Sequence, residues 1–225
     1  MKTTDSRERL LDAATEILWR HGYRAASVDA VCQQAGVKKG SFYWYFESKD
    51  ALVLAVLERA WAERRPLLDA VFSASLSPLA RFEAYFDLVE RRQADLKARY
   101  GRVLGCFFTT LGNDAYEQSS AVADSVRESL ARYQRYFTTT LRDLDAVGLA
   151  RIEDPVAKAN DLFVFMEGAL ISARVRDDLT VVSRIRPVAL RLIGLEPHPP
   201  TPSIDWSESP RPLDTSPPPE NRYGA

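Results

Sequence analysis

Residues 27–49 read Ser-Val-Asp-Ala-Val-Cys-Gln-Gln-Ala-Gly-Val-Lys-Lys-Gly-Ser-Phe-Tyr-Trp-Tyr-Phe-Glu-Ser-Lys. Ser27 is a helix N-cap residue, and Val28, Val31, Cys32 and Ala35 recur at helical spacing behind it. Gly36 permits a tight turn before a second short helix, over about Lys38 to Tyr45. Two short helices joined by Ala35-Gly36-Val37 form a helix-turn-helix, the unit whose second helix enters the DNA major groove. Five aromatics run consecutively from Phe42 to Phe46, and one helix face cannot bury all of them. Phe42 and Phe46 are four apart and form the core pair, which leaves Tyr43, Trp44 and Tyr45 outward beside Lys38, Lys39 and Ser41. Gly40 lets a sugar-phosphate backbone come close. Lys49 stands in the first turn of the next helix, where a cation opposes the helix dipole and a phosphate would give it a purpose.

Local charge agrees. Arg20, Arg24, Lys38, Lys39 and Lys49 face Asp29 and Glu47, a local net of +3 in a chain whose net charge is −1. The alternative is an ordinary helical hairpin with a solvated basic edge. Composition elsewhere is that of an ordinary globular protein, with 46% hydrophobic and 27% charged residues among 225. The longest apolar runs, such as Ala51–Leu57, fall well short of the roughly 18–20 residues of a membrane span. The charged N-terminus lacks an apolar signal core, and two cysteines, Cys32 and Cys106, make no disulfide framework. The expected location is the cytoplasm, with no membrane partner.

Helical periodicity extends over the remaining chain, so the expected fold is all-α. Leu10, Leu11, Ala14, Ile17 and Leu18 stripe a first helix, with Asp5 and Glu8 at capping-box positions and Gly22 just past its end. Ser48 opens a long helix that Pro66 should kink or end. Further stripes run through Phe82, Tyr85, Phe86, Val89, Leu96 and Tyr100, from Val122 to Leu144, and from Ala159 to Ala173. A last helix starts near Asp178 and carries Val182, Ile185, Ala189 and Leu192. Nine of the 13 prolines lie from Pro197 onward, so residues 196–225 read as a disordered tail.

The pattern Gly22-Tyr23, Ser27-Val28, Gln34-Ala35-Gly36-Val37, Gly40-Ser41-Phe42-Tyr43-Trp44-Tyr45-Phe46 and Ser48-Lys49-Asp50-Ala51-Leu52 resembles the TetR/AcrR family of bacterial transcriptional regulators. One departure is Lys38, where that family often has Ser or Thr as the helix N-cap. The resemblance implies a ligand-responsive homodimer, a repressor released from a palindromic double-stranded DNA operator by a small apolar or electrophilic effector. It implies a DNA-binding head over residues 1–60, with its helix-turn-helix at about 27–46, and an effector and dimer domain over 61–195. By family pattern Lys39, Gly40, Ser41 and Trp44 face bases, and Ser27, Lys38, Tyr43, Tyr45 and Lys49 face phosphates. The last two helices would pair with their copies in a four-helix bundle, with Leu170 at the contact and Ala157, Gly168, Ala169 and Ala173 permitting close approach.

Catalysis finds little to work with. The two histidines, His21 and His198, are far apart, no phosphate loop follows a strand, and neither a metal set nor a cofactor is implied. Phe82, Phe86, Phe107, Phe108, Phe137, Phe163 and Met166 are either core or the wall of an apolar effector pocket. Cys106, read as one helical turn after Arg102, is either a packed thiol or a sensor whose thiolate the guanidinium favours. The competing class is a helical interaction scaffold that binds no DNA.

Overall fold

The computed structural model describes residues 6–195, and all regular structure among them is helical. The order is α1 (Ser6–Ala25), α2 (Val28–Ala35), α3 (Lys39–Tyr45), α4 (Lys49–Val71) and α5 (Pro78–Tyr100), followed by α6 (Phe107–Ala115), α7 (Ser120–Ala146), α8 (Pro155–Arg176), α9 (Leu179–Ser183) and α10 (Ile185–Leu192). The Asp5 cap and the tail over 196–225 lie outside the described residues.

Side-chain caps set most of the starts. Ser27, Ser48, Ser77 and Ser119 accept hydrogen bonds from the backbone N–H three residues on, and Asp154 and Asp178 act similarly. α3 is the exception in the head: Lys38 occupies its N-cap without a side-chain bond. Gly36 takes the left-handed conformation (φ 61°) and donates to the Cys32 and Gln33 carbonyls, which turns the chain from α2 into α3.

Two apolar clusters hold the molecule. One unites α1 to α4 with Phe107, Phe108, Leu111 and Ala115 of α6 and Val122 and Val126 of α7. The other joins the end of α4 to α5, the rest of α7 and α8 to α10. Trp61, Cys106, Leu130 and Tyr133 pack against both. The head core therefore continues into α6 and α7, and residue 60 falls inside the unbroken α4.

At Gly22 the backbone is non-helical (φ 83°, ψ 179°), so the first helical run of α1 stops there as the sequence implied, and a short second run carries α1 on to Ala25. Several sequence expectations need correction. Pro66 does not end α4, because Leu68 and Val71 beyond it are fully buried and anchor the last turns. Residues 101–106 are not helical: Gly101 closes α5 in the left-handed conformation (φ 74°), and Gly105 is left-handed too (φ 68°). The last helix is split at Arg184, and Pro187, in the first turn of α10, has no N–H to carry a continuous helix back to Ser183. Leu192 is consequently exposed, while Leu190 and Ile193 take the core. Leu170 and Ala173 are packed in the chain's own second cluster and not on a free face. The outward residues of α8 include Val156, Ala157, Val164, Gly168, Ile171 and Val175.

Candidate nucleic-acid interface and effector cavity

α3 presents its two faces as the aromatic spacing requires. Phe42 and Phe46 are 0% and 5% exposed with ring centroids 5.8 Å apart, closing the head core. Tyr43 and Trp44 are 53% and 85% exposed, and Tyr45, Lys38, Lys39 and Gly40 share the open side. A tryptophan left in water forgoes burial worth roughly 2–3 kcal/mol, so an exposed aromatic set over the last turn of α3 is a candidate contact surface. Lys39 Nζ lies 2.8 Å from Asp29 Oδ1, and both side chains are exposed. Such a solvent-screened pair contributes little to stability and leaves the ammonium open to another anion. Ser27 Oγ accepts from Ala30 N at 3.1 Å, which leaves its O–H proton to donate outward. Ser41 is partly buried at the helix start.

Lys49 has a partner that the sequence did not reveal. Its ammonium stands 3.7 Å from the Tyr23 ring centroid, and partial burial lowers its pKa. Tyr23 in turn donates its hydroxyl to Asp50 Oδ1, while Ser119 Oγ donates to Asp50 Oδ2 at 2.6 Å. Burial and the Asp50 bond raise the Tyr23 pKa, so the phenol stays neutral.

More bonds tie the head to the helices behind it. Asp114 Oδ2 on α6 accepts from Arg24 N at 2.9 Å, so close to the Gly22 backbone that a Cβ there would meet the carboxylate at 2.7 Å. Arg174 on α8 donates from Nη1 to the Trp19 carbonyl at 2.9 Å and to the Leu104 carbonyl at 2.7 Å. The end of α1 is thus held by α6 and α8 together.

Behind this junction lies a cavity of about 60 Å³. Trp19, Arg64, Tyr85, Arg92, Cys106 and Glu167 bring polar groups to its wall, with Leu68, Phe107 and Phe108 as apolar neighbours. Of the aromatics expected to line a pocket, only Phe107 and Phe108 reach it; Phe82, Phe86, Phe137, Phe163 and Met166 are packed inside the second cluster. Cys106 faces the cavity at the start of α6, and the Arg102 expectation fails because the intervening chain is not helical and Arg102 points to solvent. Burial, with the Glu167 carboxylate second, pushes the Cys106 thiol up to about 12. Glu167 accepts hydrogen bonds from Thr109 and Cys106, and burial raises its own pKa.

Residues 10–56 match the model for bacterial regulatory proteins of the tetR family. The transcriptional regulator AcuR of Cereibacter sphaeroides is 33% identical over 174 residues, which cover 75% of this chain and 76% of AcuR. The chain belongs to the TetR family. Another TetR-family relative, the transcriptional repressor NemR of Escherichia coli K12, is 25% identical over 177 residues, 76% of this chain and 85% of NemR. Among solved structures, the regulatory protein TetR from Rhodobacter sphaeroides superimposes with a TM-score of 0.73 at 30% identity, covering 83% of this chain and 98% of that one. The reduced form of Escherichia coli NemR superimposes with a TM-score of 0.72 at 20% identity over 85% of this chain and 98% of NemR, a likeness of fold. This TetR-family chain is a DNA-binding transcriptional regulator, and no finding favours a scaffold that ignores DNA. Among the described residues no helix is long and apolar enough to cross a membrane.

Proposed function

We propose that this regulator acts as a homodimeric repressor on a palindromic DNA operator and is released by a small effector held in the cavity. The observation that carries the reading is the open face of α3, where Trp44 stands almost fully in solvent between Lys39, Gly40 and Tyr45. Lys39, Gly40, Ser41 and Trp44 would meet base edges, and Ser27, Lys38, Tyr43, Tyr45 and Lys49 the flanking phosphates. The repressor sense is supported by the names of two relatives, the transcriptional repressors NemR and DhaR.

Two heads must reach successive major grooves about 34–36 Å apart, which a monomer cannot do. The outward apolar stripe of α8, through Val164, Ile171 and Val175, suits the partner contact. The head up to residue 60 then reads DNA while residues 61–195 bind effector and partner. An occupant of the cavity bears on Trp19, Phe107 and Glu167, and these belong to the same α1, α6 and α8 that Asp114 and Arg174 clamp together. A shift in head spacing worth about 1–3 kcal/mol changes operator occupancy several- to a hundredfold. Sensing is non-covalent, because the Cys106 thiol stays protonated at neutral pH. The working location is the bacterial cytoplasm, on the nucleoid when operator is bound.

The test is selection of binding sites from random duplex DNA. The intact chain should enrich a palindrome, and Trp44→Ala should enrich a different one at similar total affinity. Enrichment of no palindrome by either protein would refute the reading.

A further inference from the structure

Two guanidinium groups face the cavity from adjoining helices, Arg64 on α4 and Arg92 on α5. Among the described residues neither makes an ion pair or a hydrogen bond, and Arg92 lies 5.1 Å above the Trp19 ring. The pair is also mutually repulsive. Burial, and after it the charge of Arg64, lowers the Arg92 pKa to about 9. Nearby carboxylates do not resolve the excess. Glu63 acts on Arg92 less than burial and Arg64 do and has Arg59 within 3.8 Å, while Glu167 is taken up by Thr109 and Cys106.

Neutral donors surround the two cations. Trp19 Nε1 is buried with no acceptor. The Tyr85 and Tyr133 phenols are kept neutral by burial, so each retains a proton to donate. Gln93 is not available, since its amide is spent on both backbone groups of Gly105, at 3.1 and 2.9 Å. A buried charge is ordinarily paired, and a buried indole N–H ordinarily finds an acceptor. Here the buried Trp19 indole N–H lacks an acceptor and the half-buried Arg92 guanidinium lacks a carboxylate partner, and both residues line the same space.

The volume limits what can supply the missing acceptors. At about 10–15 Å³ for each water-sized occupant, 60 Å³ accommodates roughly four to six non-hydrogen atoms. The apolar side of the wall, Leu68, Phe107 and Phe108, suits a short hydrocarbon portion more than an inorganic oxyanion. We infer that the effector is a small monocarboxylate, its carboxylate held by Arg92 and Arg64 with donors from Trp19 and the two tyrosines. The inference rests on the cavity being the effector site, and it replaces an apolar or electrophilic effector with an anionic one.

The experiment uses the full chain at constant ionic strength and measures both ligand binding and operator release. Sodium propionate should raise the melting temperature and bind, and propionamide, the same shape without charge, should bind on the order of 10- to 100-fold more weakly. Arg92→Met keeps an unbranched side chain and removes the charge, so the ligand-free variant should stay folded and melt close to the parent yet lose the propionate response. Arg92→Lys keeps the charge without the fork and should retain a weakened response, which shows that the loss in the methionine variant is not a folding defect. The inference is overturned if propionamide matches propionate, if inorganic phosphate binds better than the acid, if Arg92→Met keeps the response, or if no straight-chain acid of two to four carbons binds. Acid binding with the operator complex intact would instead refute the effector role and leave the anion site standing. A neutral compound that releases operator from the cavity while acids do not bind would do the reverse.

Discussion

Gly40→Ala separates what the fold needs from what the DNA needs. Gly40 is the second residue of α3, on its exposed side, and a Cβ built there would meet nothing within 4 Å. Nothing in the free protein calls for a glycine at that position. α3 is only seven residues long and its start has no side-chain cap, so backbone propensity weighs heavily in its stability. Alanine in place of glycine gains roughly 0.5–1 kcal/mol in a helix, which for a chain of this size raises the melting temperature by about 1–4 °C. The same methyl group would occupy the space through which a base edge or sugar approaches the helix. Loss of close approach should weaken operator binding by at least about tenfold, equivalent to about 1.4 kcal/mol. Differential scanning calorimetry and fluorescence anisotropy with labelled operator at one fixed salt concentration read the two effects. A more stable variant with undiminished affinity would remove Gly40 from the interface. A less stable one would contradict the helical geometry itself.

Lys49→Ala should flatten the slope of log affinity against log salt by about one for each phosphate left without its ammonium partner, measured by anisotropy across a salt series. An unchanged slope with a lower melting temperature would leave Lys49 as a partner of the Tyr23 ring alone. Ile171→Asp, at a position 42% exposed, should leave the monomer fold within about 0.5 kcal/mol of the parent yet dissociate dimers at micromolar concentration by sedimentation. A persistent dimer would move the interface off this face of α8. Alkylation of Cys106 by iodoacetamide, with Cys106→Ser as the blank, should accelerate about tenfold per pH unit from 7 to 10. An ordinary thiol would level off near 9, and this one is pushed up to about 12. Because the folded pKa lies above the unfolded value, the stability linked to this thiol is complete below pH 9 and disappears as pH rises towards 12. A rate plateau near neutrality would restore the thiolate sensor.

The head was legible because its determinants are local. The Ser27 cap, the Gly36 turn and the Phe42–Phe46 pair each depend on residues within four positions, and the structure reproduces all three. The breaks in the rear helices were harder. Pro66 is overruled by the buried Leu68 and Val71, which come from distant packing, whereas Gly101 and Gly105 were visible signals of a non-helical stretch around Arg102. The cavity was legible in one respect that aromatic counting obscures. Arg64 lies on the spacing Leu57, Trp61, Arg64, Leu68, and Arg92 on Tyr85, Val89, Arg92, Leu96, so each cation interrupts an inward apolar stripe. Which aromatics reach the wall was not legible, since Phe82 and Phe137 differ from Phe107 and Phe108 only in what other helices place opposite them.

The shared core of the head and α6 bears on how such a regulator can be recombined. A head cut at residue 60 and grafted onto another sensor would part α4 in mid-helix. It would also lose Leu111 and Ala115, which close over it, and the Asp114 acceptor for Arg24. A transferable cassette must therefore carry α6 and the first turns of α7 as well, or the recipient must supply a matching apolar lid. On the proposed reading, specificity for DNA and for effector would be inherited together, because Phe107 and Phe108 belong both to the core beneath the head and to the cavity wall.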